Sequence, residues 1–232
     1  LAEIREELAA LDEQLLLKFA QRMQLVEEVA AIKWKVNGAI FVPEVEERKI
    51  EMTRRAVGSE LADYAQVLMQ TLLRLSRAKQ YELNWEKDHA WPLAQAVQTA
   101  KKEADEVAEQ DILTWTEETP ILLEQRQLYI YARTKERVAV SPQLKFAPEA
   151  ERGSLLLYQP QPREKFIDAL NIFADLQIPV FEVRLFEDCF FVEFAAIPEN
   201  KRALRALYQL EQETERMQFL GWYPCLREDE LG

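Results

Sequence analysis

Two basic side chains interrupt the apolar stripe of the N-terminal segment. Arg22 and Lys33 are eleven residues apart, and at about 100° per residue that spacing returns them to nearly the same face of a helix. Either side chain alone would more often extend past the stripe to water. Two cations on one apolar face favour a binding site for an anion, because a buried cation without a counter-charge is costly.

Other polar residues could complete such a site. Ser76 and Gln80 are four residues apart and share a helix face, and Glu46 belongs to a separate short segment. A pocket between three helices would combine two cations, neutral hydrogen-bonding groups and one carboxylate. That set suits a small dianion carrying a hydroxyl, and its members are Arg22, Lys33, Glu46, Ser76 and Gln80.

Arg5 lies on the same predicted helix but on a different face. It precedes Arg22 by seventeen residues, which places it roughly a quarter-turn away. We therefore expect Arg5 to stay out of the pocket of its own chain. It is either a solvated surface arginine or a group that enters the pocket of a second copy in a homodimer.

Three helices are predicted to position these residues. Hydrophobic periodicity predicts a long helix from residue 1 to about 36, ended by Asn37-Gly38. Pro43 predicts the start of a short helix to about Val57, and Ser59 is expected to cap a third helix that ends near Trp85. The long helix needs other helices or a partner chain to bury its stripe, whose residues include Ile4, Leu8, Leu11, Leu15, Phe19, Val26 and Val29.

The pattern changes along the rest of the chain. Residues 86–120 are charged and helix-prone, residues 127–132 predict a strand, and residues 141–153 predict a linker. From Ser154 onward the elements are predicted in the order strand, helix, strand, strand, helix, strand. That order is typical of a ferredoxin-like unit, with two helices on one antiparallel sheet. The predicted elements are 155–158, 166–176, 180–186, 190–194, 201–214 and 217–223.

Composition excludes several classes of function. The formal net charge of −12 argues against a nucleic-acid partner, and His89 is the single histidine, so a histidine-based triad or multi-histidine metal site is impossible within one chain. No apolar run approaches membrane-spanning length. Cys189 and Cys225 predict free thiols in a reducing, cytoplasmic compartment. We expect no metal and no cofactor.

The first residues of the sequence carry no signal-peptide pattern, because Leu1 to Glu7 are already charged and helical. The sequence begins with leucine instead of methionine, and we expect the natural chain to start before Leu1.

The N-terminal motifs resemble those of the all-helical chorismate mutases, particularly those fused to prephenate dehydratase or prephenate dehydrogenase. The resemblance covers about residues 1–82 and rests on spaced motifs. It implies a dimer whose long helices are shared between subunits. The motifs are Ile4-Arg5-x-x-Leu8-x-x-Leu11-Asp12, then Arg22, Val29 and Lys33, then Phe41-Val42-Pro43-Glu44, and finally Ser76-Arg77-Ala78-Lys79-Gln80.

The resemblance also implies a reaction, the pericyclic rearrangement of chorismate to prephenate. This reaction needs no nucleophile and no general base. The enzyme holds the dianion in its compact conformer and donates hydrogen bonds to the ether oxygen as charge develops there. By resemblance, the carboxylates are bound by Arg22, Ser76 and the partner's Arg5, the ether oxygen faces Lys33 and Gln80, and the hydroxyl is bound by Glu46.

One position departs from the family pattern. Where the family has Glu-Arg-Glu at the start of the second helix, this chain has Glu44-Val45-Glu46. Val45 thus replaces a cation of the site, and Arg48, three residues on, is expected to compensate in part. Two alternatives follow: a catalytically impaired homologue that acts as a regulatory or metabolite-binding protein, and a mutase for a relative of chorismate.

Residues 154–226 resemble the ACT regulatory domain that ends prephenate dehydratases, through Phe190-Phe191-Val192-Glu193-Phe194 and Phe219-Leu220-Gly221-Trp222-Tyr223-Pro224. The family's domain binds phenylalanine at a dimer interface. Here Glu164-Lys165-Phe166 replaces a Gly-Ala-Leu motif, and Glu182-Val183-Arg184-Leu185 replaces Glu-Ser-Arg-Pro. An effector site at Glu182 and Arg184 and a purely structural dimerisation domain are equally favoured.

The segment between these two regions, residues 86–153, is too short for a prephenate dehydratase domain. Gln125 to Arg133 resembles the end of such a domain, but Arg126-Gln127-Leu128 stands where the catalytic Thr-Arg-Phe would be. The segment is therefore predicted to be a linker and a shrunken remnant without dehydratase activity.

Overall fold

The computed structural model describes residues 1–102, 111–145, 149–159, 162–196 and 200–231. The side chains of residues 101–102 and 162–165 are outside this description. The chain divides into two compact units, Leu1–Lys87 and Asp88–Gly232. Residues 88–153, predicted as linker and remnant, are part of the second unit.

The first unit consists of three helices, as the periodicity predicts. They are α1 (Ala2–Lys35), α2 (Pro43–Ala56) and α3 (Ala62–Trp85). Pro43 occupies the first turn of α2, where its fixed φ suits a helix and its missing N–H has no intrahelical partner to lose. Both α1 and α2 pack against α3, so α3 is the element that brings the other two helices to one site.

The predicted cap of α3 is wrong. Residues 59–61 form a turn and the helix starts at Ala62, with Leu61 at the N-cap and no side-chain capping bond. The chain leaves α2 through Gly58 at φ +78°, a left-handed conformation that glycine adopts readily, and the turn follows before α3 can begin. An ion pair between Arg54 and Asp63, with N and O atoms 2.9 Å apart, joins the end of α2 to the first turn of α3.

The N-terminal half of α1 leaves its apolar stripe exposed. Ile4, Leu8, Leu11 and Leu15 are 58%, 54%, 59% and 56% exposed. The buried residues of α1 are Val26 and Ala30, both in the half that packs on α3. Among the described residues of this unit, nothing covers the N-terminal stripe.

The second unit contains the predicted ferredoxin-like arrangement. Strands β4, β5, β6 and β7 form an antiparallel sheet in the order β5-β6-β4-β7, with α6 and α7 as the connecting helices, so the order strand, helix, strand, strand, helix, strand is confirmed. The elements are β4 (Arg152–Tyr158), α6 (Pro162–Asp175), β5 (Val180–Leu185), β6 (Cys189–Ala195), α7 (Lys201–Glu213) and β7 (Arg216–Tyr223).

A second, smaller sheet precedes it, and most of that sheet was not predicted. Its strands pair in the order β1-β3-β2; only β2 matches a predicted strand. The predicted linker over residues 141–153 in fact contains the end of β3 and the start of β4. The elements of this segment are α4 (Pro92–Lys102), β1 (Asp111–Thr114), α5 (Thr119–Gln125), β2 (Tyr129–Arg133) and β3 (Arg137–Ser141).

The four-stranded sheet is covered on both faces. Successive side chains of β6 point to opposite faces: Phe190 and Phe194 contact Phe166 and Phe173 of α6, whereas Phe191 packs in a core with residues of β2, β3 and α5. Gly221 of β7 lies against the backbone of Ile130 of β2, and a Cβ added at Gly221 would collide with the Ile130 carbonyl oxygen. The small sheet therefore covers the face of the larger sheet opposite the helices.

Candidate active site

All three helices of the first unit contribute to one cavity of about 310 Å³. The five residues predicted to form a pocket are all in its wall. Apolar side chains make up much of the rest. The lining residues are Arg22, Val26, Val29 and Lys33 from α1; Val45, Glu46 and Lys49 from α2, with Val42 just before it; and Leu73, Ser76, Arg77 and Gln80 from α3.

Arg22 is held against the wall formed by α3. Its Nη1 donates to the carbonyl oxygen of Leu72 at 3.2 Å and to Oγ of Ser76. Ser76 is buried, and its hydroxyl donates to the same Leu72 carbonyl at 2.5 Å. Burial lowers the pKa of the Arg22 guanidinium, so the charge sits where water stabilises it incompletely and an anion would be favoured.

Lys33 lines the cavity and contacts the segment that connects α1 to α2. Its Nζ donates to the carbonyl oxygen of Ile40 at 2.9 Å. Burial is the main reason why the pKa of Lys33 is lowered; Glu46 raises it and Lys49 lowers it further. Two charged side chains of α2, Glu46 and Lys49, thus act electrostatically on Lys33 of α1.

Glu46 is paired with a cation that was not predicted as a site residue. Nη1 of Arg77 forms an ion pair with Oε2 of Glu46, and both side chains are mostly buried. The guanidinium of Arg77 also lies 4.7 Å from the centre of the Phe41 ring, a distance suited to a cation–π contact. Its position three residues before Gln80 on a helix is the signal that could have identified Arg77.

Gln80 presents an unpaired oxygen. The side chain is 6% exposed, and its Nε2 donates to the carbonyl oxygen of Ser76 at 3.2 Å. Within the described part of the chain, Oε1 of Gln80 is buried and has no hydrogen-bond partner. An amide oxygen can only accept, so Oε1 is able to receive a hydrogen bond from a ligand that carries a donor.

The remaining predicted residues lie elsewhere. Arg5 is exposed and is not part of the cavity wall, as its helical phase predicts. Arg48, expected to compensate for Val45, is exposed and also does not line the cavity. Val45 does line it, and the cation beside it is Lys49, which is four residues further along and shares its helix face.

The charge of the cavity wall is strongly positive in an acidic protein. Its residues carry four cations, Arg22, Lys33, Lys49 and Arg77, against the single carboxylate of Glu46, although the chain as a whole has a net charge of −12. The wall contains no cysteine, histidine or second carboxylate. The cavity can therefore bind and orient a small anion.

In the second unit, Glu182 and Arg184 are engaged with their own neighbours. Glu182 accepts hydrogen bonds from Arg133 at 3.4 Å and from Nε of Arg184. Nη1 of Arg184 donates to the carbonyl oxygen of Thr116 at 2.8 Å. The side chains of Glu164 and Lys165, in the altered loop-to-helix motif, lie outside the described residues.

A buried carboxylate of β6 joins the two sheets, which sequence reasoning missed. Glu193 is 1% exposed and is bound by Arg133 of β2, by Arg152 at 2.6 Å and by the hydroxyl of Tyr223 at 2.8 Å. Burial, together with the nearby Glu193 charge, raises the pKa of Tyr223. Removing one partner of such a network would strand a buried charge, so its function is structural.

Metal binding and membrane insertion find no support in the described residues. They contain no group of three or more metal-ligating side chains. None of the described helices is long and apolar enough to cross a membrane.

In a comparison with known protein families, residues 4–81 match the model of chorismate mutase type II. No curated protein sequence matches the chain significantly.

Among solved structures, prephenate dehydratase from Streptococcus mutans is 18% identical with a TM-score of 0.42, covering 60% of this chain and 90% of that one. GqqA, described as a novel type of quorum quenching acylase, is 19% identical with a TM-score of 0.43, covering 59% and 81%. Prephenate dehydratase of Arthrobacter aurescens in complex with L-Phe is 18% identical with a TM-score of 0.34, covering 38% of this chain and 31% of that one. This chain thus spans less than a third of the Arthrobacter protein.

The family match ends one residue after Gln80 and includes every residue of the cavity wall. Over residues 4–81, the part of the chain that forms the cavity, this chain is therefore similar to chorismate mutase type II.

Proposed function

We propose that this chain catalyses the rearrangement of chorismate to prephenate in the cavity of its first unit. The observation that carries the proposal is the convergence of Arg22, Lys33, Glu46, Ser76 and Gln80 from three helices in one wall. A dianionic substrate fits the excess of cations there. The apolar part of the wall would exclude water and strengthen each charge interaction.

The residues have distinct tasks in this proposal. Arg22, oriented by Ser76, binds one carboxylate. Lys33 donates to the ether oxygen, where negative charge develops as the C–O bond breaks and the new C–C bond forms. No proton is transferred in this step.

Gln80 and Glu46 would make the remaining hydrogen bonds to the substrate. Gln80 has a second N–H besides the one bound to Ser76, and this donor is available to the ether oxygen. Arg77 holds Oε2 of Glu46, which leaves Oε1 to accept the substrate hydroxyl. Arg77 thus acts as a positioning residue for Glu46.

The active form is proposed to be a homodimer. The exposed stripe of Ile4, Leu8, Leu11 and Leu15 runs along more than two turns of α1, and a second copy of α1 offers a matching apolar surface. Arg5 lies within this stripe segment and outside its own cavity. Covering the stripe with a second copy would bring the partner's Arg5 to a cavity, where it adds a cation for the second carboxylate.

Consumption of chorismate tests the proposal. Purified full-length protein is incubated with chorismate, and separately with isochorismate and an amino-substituted chorismate, while substrate loss is followed by absorbance. We expect chorismate to be consumed fastest. A relative consumed faster would assign the site to that relative, and tight binding of chorismate without turnover would favour a metabolite-binding homologue, the alternative suggested by Val45 in the cavity wall.

The pH dependence of kcat/KM should report Lys33. Because burial lowers the pKa of this ammonium from its ordinary 10.5, the free enzyme should lose the Lys33 proton, and with it the donor, at a lower pH than free lysine does. We expect kcat/KM to fall on an alkaline limb below pH 10.5. In Lys33→Arg, whose side chain stays protonated, the limb should move to higher pH. An alkaline limb that is identical in both proteins would show that another group controls it.

Prephenate is not expected to be a substrate. The segment before β4 has Arg126-Gln127-Leu128 where a dehydratase would have Thr-Arg-Phe, so phenylpyruvate should not form above the uncatalysed rate at neutral pH. Product analysis with and without protein checks this. Formation of phenylpyruvate in proportion to the amount of protein would overturn it.

The second unit is proposed to have a structural role. The internal hydrogen bonds of Glu182 and Arg184 favour that role over a phenylalanine site at these residues. Two unpaired cysteines support a cytoplasmic, reducing location for the enzyme.

A further inference from the structure

One side of the cavity is formed by a single face of α2. Val45, Glu46 and Lys49 line it; Arg48, which is exposed as Val45 and Lys49 are, does not. Residues four apart on a helix lie one above the other, so Lys49 stands one turn beyond Val45 along the same wall. The aliphatic side chain of Val45 therefore leaves space into which the longer side chain of Lys49 can reach.

The other three cations of the wall already have partners. Arg22 donates to Leu72 and Ser76, Lys33 donates to Ile40, and Arg77 is paired with Glu46. Across the residues that the structure describes, the Lys49 ammonium makes no hydrogen bond and no ion pair. Its charge nevertheless acts inside the cavity, because it disfavours the charged form of Lys33.

We propose that Lys49 binds one carboxylate of the dianionic substrate and supplies the cation that the wall lacks at Val45. The inference rests on the proposed function. A carboxylate placed between Lys33 and Lys49 would relieve the repulsion between the two ammonium groups, and Lys49 could meet it without giving up an existing contact. Arg48 has no part in this site.

Three substitutions separate Lys49 from its neighbours. Lys49→Met keeps the length of the aliphatic chain and removes the charge, and we expect kcat/KM for chorismate to fall about a hundredfold. Lys35→Met is the matched control, an exposed lysine of α1 outside the cavity, and should stay within about twofold of the parent. Arg48→Met should behave like this control.

A rescue experiment tests the position of the charge. Val45→Arg, added to Lys49→Met, should restore much of the lost kcat/KM, because an ordinary helix site accepts arginine and the new guanidinium starts from the same wall. Circular dichroism establishes that each variant is folded. Undiminished turnover by Lys49→Met, or a large loss in Arg48→Met instead, would overturn the inference.

Binding of a probe separates this inference from the proposed function. The probe is a bicyclic dicarboxylate that mimics the transition state, titrated calorimetrically into each protein. If the parent binds the probe but does not convert chorismate, the proposed function fails; a large rise in Kd for Lys49→Met alone would then still support Lys49 as the carboxylate ligand. An unchanged Kd in Lys49→Met, or a parent that neither binds the probe nor turns over chorismate, overturns the inference.

Discussion

Alanine substitution of Arg22 or of Lys33 is expected to lower kcat/KM for chorismate by about a hundredfold or more, the scale for losing one donor to developing charge in a site that excludes water. Each side chain is already positioned by contacts of its own, Arg22 by Leu72 and Ser76 and Lys33 by the carbonyl of Ile40. Such preorganised donors need little rearrangement during the reaction, which is why their loss should affect the rate strongly.

The two variants should lose activity without losing the fold. Burial lowers the pKa of both cations, so the folded chain holds each charge at a cost, and removing it should leave the free energy of unfolding nearly unchanged. Thermal unfolding followed by circular dichroism checks this, with Lys35→Ala as an exposed control on the same helix. Parental turnover by folded Arg22→Ala and Lys33→Ala would refute the site assignment.

Mixing two inactive variants is expected to restore activity. Arg5 is outside the cavity of its own chain, whereas Lys33 is inside it. In a homodimer with shared sites, one chain carrying Arg5→Ala and one carrying Lys33→Ala would form one site free of both substitutions. The other site would carry both.

The expected recovery follows from the number of intact sites in the mixed dimers. Each variant alone should have about a hundredth of the parental activity or less. Random reassociation after joint unfolding and refolding makes half of the dimers mixed, each with one intact site of two, so about a quarter of the parental activity should return. Refolding each variant separately and then combining them controls for the procedure. No gain in the co-refolded sample, with mixed dimers demonstrated by mass, would rule out a shared site.

The helical phase of α1 made much of the site predictable. A single long helix fixes the relative directions of Arg5, Arg22 and Lys33 by geometry alone, and the i, i+4 spacing did the same for Ser76 and Gln80 on α3. These predictions needed no knowledge of how the helices pack. Four of these five residues line the cavity, namely Arg22, Lys33, Ser76 and Gln80, and Arg5 does not. The same periodicity accounts for this division.

Helical phase alone does not predict which residues of α2 line the cavity. Glu46, Arg48 and Lys49 place charge on several faces of a short helix with no buried residue, so its sequence does not show which face meets α1 and α3. Packing decides that Lys49 enters the wall and Arg48 does not. The spacing of Arg77 from Gln80 indicates that it lies near the same face of α3, but its pairing with Glu46 could not be predicted, because that carboxylate is distant in sequence and reaches Arg77 only after folding.

Two strands of the small sheet, β1 and β3, were not predicted from the local sequence pattern. β1 and β3 have four and five residues, too few for alternation to be distinguished from a loop. They are stabilised by pairing with each other and by the common core with Phe191 and Leu156. The network around Glu193 likewise depends on Arg133, which is remote in sequence and belongs to the smaller sheet.

Proton NMR of the product formed from chorismate tests the central claim most directly. Full-length protein and an Arg22→Ala/Lys33→Ala double variant are incubated with the same chorismate sample, and the spectra are followed against a sample without protein. The proposed active site predicts prephenate as the product of the parent, formed well above the uncatalysed rate, and little acceleration by the double variant. Chorismate that disappears at the uncatalysed rate in the presence of the parent, or prephenate formed equally fast by both proteins, would contradict it.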